Sequence, residues 1–213
     1  MWFSGVRLHA RTTVLRLDDG NLLIHSPAPP SEGLVEALKA LGPVRWLVVP
    51  NCFHHLGTPA AAARFPEAKV VAPKSALARN NDLKLHLDLH DAEFGEQLPE
   101  FEALPLDGVP FLDETVLFHR PTQTLLGADL VMEASARDHW TWRWAGRITG
   151  CYEQVRLPPD VRKKISEKTA AARSIKAMLE RPAQRLIVAH AEIIEAGWRE
   201  RLTEAWRREG VEV

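Results

Sequence analysis

Three β-type runs, each broken off by a turn that carries a metal-competent side chain, constrain this chain more than any other feature of its sequence. The runs are Trp46-Leu47-Val48-Val49, Thr124-Leu125-Leu126 and Arg185-Leu186-Ile187-Val188. The turns after them read Pro50-Asn51-Cys52-Phe53-His54-His55-Leu56-Gly57, Gly127-Ala128-Asp129 and Ala189-His190-Ala191. Strand ends of a parallel or mixed sheet share a rim, so side chains distant in sequence can converge there. Imidazoles with one carboxylate make a hard-to-borderline donor set for a divalent cation. No fixed spacing ties the three segments; what they share is a position just past a strand.

The pattern between these runs predicts alternating strands and helices. Thr12–Leu17 and Asn21–His25 flank Asp18-Asp19-Gly20, a hairpin signature. Ser31 caps a predicted helix to about Leu41 with Leu34, Leu38 and Leu41 on one face, and Gly42-Pro43 stops it. Strand 44–49, helix 57–65, strand 69–71 and a helical turn over 73–79 follow, the order expected of α/β crossovers. The polar stretch 81–100 reads as loop with one edge strand. Strands are expected again at 101–106, 114–119 and 123–126, then an irregular, tryptophan-rich region over 130–158. Pro158-Pro159-Asp160 opens one long helix to about Glu180, and strand 185–188 and a helix over 192–208 complete the chain.

At 213 residues the chain buries a full core and fits one domain, 1–213. Twenty-seven basic against 28 acidic residues leave a net charge of −1, so global electrostatics favours neither nucleic acid nor an anionic membrane. Cys52 and Cys151 lack framework spacing, which argues against disulfide reliance. No leader pattern and no apolar run near about 18 residues is present, and a cytoplasmic location is expected.

Each candidate residue has a plainer reading beside the functional one. Adjacent His54 and His55 would diverge on a helix, but in a turn before a helix both rings can bend toward one centre. Otherwise one caps the helix and the other faces solvent. Asp129 sits between apolar residues, which disfavours an ordinary surface carboxylate; the alternative is a cap for a helix near Val131. His190, like His25 at the end of Leu22-Leu23-Ile24, would alone be a satisfied strand-end histidine. His86 and His90 alternate with leucines as the polar face of a strand. Arg137-Asp138-His139-Trp140-Thr141-Trp142-Arg143-Trp144 fits a strand burying three indoles, a lid over a pocket, or a dimer contact, with lid or interface preferred. Single-stranded nucleic acid is a minor reading of the same segment.

The ordered set resembles the metallo-β-lactamase superfamily, in a divergent branch of unknown function: an N-terminal hairpin, a strand into a histidine turn and helix, a hairpin ending in Gly127-Ala128-Asp129-Leu130, and a strand ending in Ala189-His190. The resemblance spans about Thr12 to Trp206 and implies an α/β fold, a four-layered αββα sandwich with a metal site along one edge. The family's His-x-His-x-Asp-His turn is reduced here to Asn51-Cys52-Phe53-His54-His55. His55 matches the last histidine and His54 takes the aspartate position. The middle histidine is missing near Asp107-Gly108-Val109-Pro110, while Asp129 matches the bridging aspartate and His190 the final histidine. The resemblance thus implies one divalent ion, Zn first and Fe or Mn next, held by His54, His55, Asp129 and His190, with Asp129 and His54 also the catalytic candidates. His25 and Cys52 are candidate extra or supporting ligands. The implied activity is hydrolysis of a small-molecule ester, thioester, lactone or phosphoester through a metal-bound hydroxide. The alternative is a degenerate, non-catalytic binding protein of the same fold. Neither nucleic acid nor membrane is expected as a partner, and a homodimer is left open.

Overall fold

The computed structural model describes residues 2–3, 5–79 and 84–213. They divide into two units: Thr12–Ala103, and Leu104–Val213 joined by the N-terminal residues up to Arg11. In the latter, β1 (Trp2–Phe3) and β2 (Val6–Arg7) form a short antiparallel ladder.

In the Thr12–Ala103 unit, β3 (Thr13–Arg16) and β4 (Leu22–His25) pair antiparallel as the hairpin signature predicts, with Val14 opposite Ile24. Gly20 supplies the left-handed turn position, φ 81°. Ser31 caps α1 (Glu32–Leu41), its Oγ accepting from the Leu34 N–H at 3.3 Å. The buried face of α1 is Val35 and Leu38, whereas Leu34 and Leu41 are exposed. Three leucines at helical spacing mark one stripe, but the core meets the helix on the Val35 side of it. Gly42 ends α1 at a close approach, since a Cβ there would lie 2.4 Å from the Gly20 carbonyl oxygen.

β5 (Val44–Val48) runs parallel to β4, α2 (Thr58–Arg64) follows, and β6 (Lys69–Ala72) runs parallel to β5. A 3₁₀ segment covers Lys74–Arg79, β7 (Leu87–Asp88) is the edge strand of the five-stranded sheet β3-β4-β5-β6-β7, and α3 (Ala92–Gln97) comes next. The edge strand was expected and α3 was not; residues 81–83 of that expectation lie outside the described ones. His86 and His90 are exposed but lie just outside β7 and not on a strand face, and His86 Nδ1 accepts from the Val70 N–H at 3.0 Å. Leu22, Ile24, Val35, Leu38, Leu47, Val70 and Ala61 form the core of this unit.

β8 (Phe101–Pro105) holds the Ala103/Leu104 step between the units and is the outer strand of a sheet ordered β11-β10-β9-β8. β9 (Thr115–His119) and β10 (Thr124–Leu126) are antiparallel. Residues 140–149 form helix α4 (Trp140–Thr149), not a strand, and bury one indole, Trp142. The His139 side chain accepts from the Thr141 N–H, and Gly150 in the left-handed region (φ 77°) terminates the helix.

The predicted long helix is two: α5 (Pro159–Arg162) and α6 (Lys168–Leu179). Between them the Ser166 and Glu167 N–H groups donate to the Gly108 carbonyl at 2.9 and 3.2 Å, diverting the chain from helical bonding. β11 (Arg185–Ile187) pairs parallel with β10, and α7 (Trp198–Arg207) starts later than expected. Ile194 returns to β11 first, exchanging backbone hydrogen bonds with Leu186. No helix among the described residues is long and apolar enough to cross a membrane.

Candidate metal centre

In the unit containing the C-terminal half, the parallel pairing of β10 with β11 brings Asp129 and His190 together. Gly127 N–H donates to the Ile187 carbonyl at 2.8 Å, and Ala189 N–H to the Ala128 carbonyl at 3.1 Å, so the two turns leave the sheet side by side. His190 Nε2 then lies 3.3 Å from Asp129 Oδ1.

Both residues are held from behind. The buried Glu114 carboxylate accepts from the N–H groups of Ala128 (2.8 Å), Asp129 (2.7 Å) and Leu130 (3.2 Å), which fixes the turn that presents Asp129. Gly127 gives that carboxylate room, because a Cβ there would sit 3.0 Å from Glu114 Oε1. Arg11 Nη1 donates to the Val188 and Ala191 carbonyls at 3.1 and 2.6 Å and so clamps the turn that presents His190.

His190 Nδ1 lies 2.6 Å from the His9 carbonyl oxygen. A carbonyl oxygen only accepts, so Nδ1 must carry a proton. In the neutral ring Nε2 then offers a lone pair toward a carboxylate oxygen, and two acceptors at that distance call for a proton or a cation between them. Burial pulls the His190 pKa down, but the hydrogen bond to Asp129 and its charge, the His9 carbonyl and Glu114 outweigh it; the net shift is upward. Imidazole nitrogen with carboxylate oxygen is also a donor set suited to Zn²⁺ and its first-row neighbours, so these residues fit a metal ion as well as a proton.

The histidine turn belongs to the other unit. Asn51 Oδ1 accepts from the N–H groups of Phe53 (2.9 Å) and His54 (3.0 Å), making the non-helical turn that the sequence required of adjacent ligands. The Thr58 N–H donates to the His55 carbonyl at 3.0 Å as α2 begins. Gly57 is needed there, since a Cβ would stand 2.3 Å from the Pro27 carbonyl oxygen.

His54 Nδ1 is 2.5 Å from Ser26 Oγ, and Ser26 holds a left-handed backbone, φ 56°. That contact occupies Nδ1. His55 is buried, and burial, the Arg79 guanidinium and His54 lower its pKa. His25 is buried at the end of β4 with no hydrogen-bond partner for Nε2; burial and neighbouring His54 push its pKa down to about 3. Cys52 is buried and is not part of a disulfide.

Glu114, Ser26 and the His9 carbonyl were not foreseen. Glu114 carried a weak signal, an acid directly before the apolar run Val116-Leu117-Phe118; a backbone carbonyl at His9 carried none.

A family model described as "Domain of unknown function (DUF4336)" matches residues 3–140. No curated protein sequence matches the chain. Among solved structures, the chain is similar to a metallo-β-lactamase from Pontibacter korlensis at 13% identity and TM-score 0.66, over 99% of this chain and 91% of that one. It is similar to the mono-zinc form of the metallo-β-lactamase FIM-1 from Pseudomonas aeruginosa at 13% identity and TM-score 0.61, over 97% and 96%. A metallo-β-lactamase from Erythrobacter litoralis, with β-mercaptoethanol in its active site, gives 15% identity and TM-score 0.63 over 94% and 86%. At such identities the likeness concerns the fold. The mixed α/β architecture with two main sheets is that of the metallo-β-lactamases, as the sequence resemblance implied.

Proposed function

This chain belongs to the family described as "Domain of unknown function (DUF4336)", and on that premise we propose that it is a hydrolase dependent on a single divalent metal ion. The observation that carries this reading is the 3.3 Å approach of His190 Nε2 to Asp129 Oδ1, with the opposite ring nitrogen tied to the His9 carbonyl. His54 and His55 are the proposed further ligands, His54 through Nε2, because Ser26 engages Nδ1. Zinc is the first choice of ion, with iron or manganese next. The mono-zinc form of one protein of this fold supports a single ion.

When bound, the ion lowers the pKa of a water molecule to about 7 and polarises the carbonyl or phosphoryl oxygen of an ester, thioester, lactone or phosphoester. The protein's own groups set the stage for that chemistry. Glu114 fixes the Asp129 turn, His9 holds the His190 tautomer, and Ser26 orients His54. A histidine at the family's aspartate position would hold an ion without adding negative charge, which leaves Asp129 as the carboxylate that could accept a proton there. A location in the cytoplasm and a small-molecule substrate complete the proposal.

Elemental analysis of protein reconstituted with zinc tests it. About one ion per chain is expected, with Asp129→Ala and His190→Ala falling close to zero. A folded wild-type protein that takes up no divalent ion overturns the proposal; metal uptake without turnover of any activated ester or phosphoester leaves the binding-protein alternative in its place.

A further inference from the structure

We propose that helix α4, together with Trp2, forms a face that docks on an anionic lipid surface, holding the protein peripherally on a membrane. Trp140, Trp144 and Ile148 stand at successive i, i+4 positions and are 67%, 63% and 66% exposed. Trp2, 64% exposed, extends this ridge at the helix start, its ring meeting His139 edge-on at 5.7 Å.

The exposure is not a sign of loose packing. On the opposite side of α4, Trp142 is buried in a cluster with Met132, Ala134 and Cys151, and the Thr141 hydroxyl accepts from the Arg7 N–H at 3.0 Å. The helix is anchored, and its two outer indoles are left facing water. Contiguous exposed apolar surface of this kind marks an interaction site, and indoles favour the membrane–water interface above other environments.

Charge identifies the occupant. From His139 to Tyr152 the chain carries Arg143 and Arg147 and no acid; Asp138 and Glu153 flank the segment, with Asp138 turned back onto the Ser135 N–H at 2.7 Å. At about 100° per residue the two arginines form a ridge beside Trp140 and Trp144, so one arc of the helix is apolar and its border basic. Arg147 is kept upright by stacking on Tyr152, 3.6 Å from the ring centroid. Tryptophans sunk at the acyl boundary with arginines at the headgroups is the arrangement of an interfacial helix. A second copy fits less well, because an antiparallel two-fold pairing of α4 would set the two arginine ridges on the same side, like charge beside like. The whole-chain charge of −1 hides this face, since it averages over the entire surface.

The test is co-sedimentation of the full chain with vesicles of phosphatidylcholine and phosphatidylglycerol, compared with vesicles of phosphatidylcholine alone. Binding is expected to the anionic vesicles only, weakening as salt is raised. Trp140→Ser combined with Trp144→Ser should lower the partition coefficient at least about tenfold, and Arg143→Gln with Arg147→Gln by about tenfold or more. Arg143 is half-buried and bonds the Ala136 carbonyl, so unchanged thermal midpoints are required to verify folding of its variant; the wild-type salt series stands without any variant. No binding by the wild type, or equal binding to both vesicle types, overturns the proposal. So does sedimentation velocity showing a wild-type dimer that the tryptophan variant converts to monomer, which would assign the face to a second copy.

Discussion

Glu114 does at the residue scale what a ligand's neighbour must do: it holds a backbone still. Three N–H groups converge on its carboxylate at 2.7 to 3.2 Å, and all three flank or belong to Asp129. Glu114→Ala strands those donors in a buried place, a loss of about 3 kcal/mol in denaturant unfolding. It also frees the Asp129 turn, so zinc affinity measured with a competing chelator should fall about 10- to 100-fold. Glu114→Gln, which keeps one acceptor, should lie between.

His25 makes a second prediction at this scale. Its folded pKa, about 3, lies below the ordinary 6.5, so between those values the unfolded chain binds the extra proton. Stability therefore falls as pH drops from about 6.5 toward 3 and is unaffected by His25 above that range. At about 1.36 kcal/mol per unit the full contribution is about 5 kcal/mol. His25→Gln should flatten this acid arm of the stability curve; an unchanged arm would show that other groups govern it. At the residue scale the sequence revealed which side chains could ligate, since Asp129 and His190 follow recognisable strands. It was silent on what holds them, because a carbonyl such as that of His9 has no side-chain signature.

Among the elements, the hairpin, the parallel strands and the capped helix α1 were legible because turn chemistry and β-branched runs are local properties. The split between α5 and α6 was not, because its cause lies some sixty residues away. Gly108, at φ 78°, lets the Glu167 carbonyl come so near that a Cβ would stand 2.2 Å from its oxygen. Gly108→Ala therefore meets both backbone strain and a backbone clash, and should cost at least about 2 kcal/mol. In a chain of this size that is a fall of about 4–8 °C in thermal midpoint. In the tryptophan segment the strand reading fails, since alternation of indoles with polar residues is compatible with a strand, whereas the preferred lid or interface reading makes no claim about the element. Here the helix is set by a His139 cap and a Gly150 stop, and two of the three indoles belong to its outer arc.

For the molecule as a whole, the proposed metal binding would be coupled to stability. A ligand that binds only the folded state adds about 4 kcal/mol at about a thousandfold excess over Kd, or about 8–16 °C in midpoint. Zinc should raise the thermal midpoint by that order and a chelator should reverse it; Asp129→Ala should abolish the response. The fold was visible in the order of segments, which survives at 13% identity because strands, turns and helices in sequence constrain topology more than individual side chains do.

The His190 ring is fixed by His9 and faces Asp129, so one nitrogen answers to a residue near the start of the chain and the other to a residue 61 positions upstream. A polypeptide emerging from the ribosome thus has no half-built version of this pair: the approach of Asp129 to His190 forms only once residue 190 is exposed. A fragment ending before residue 190 would lack this pair altogether, however well its first sheet formed.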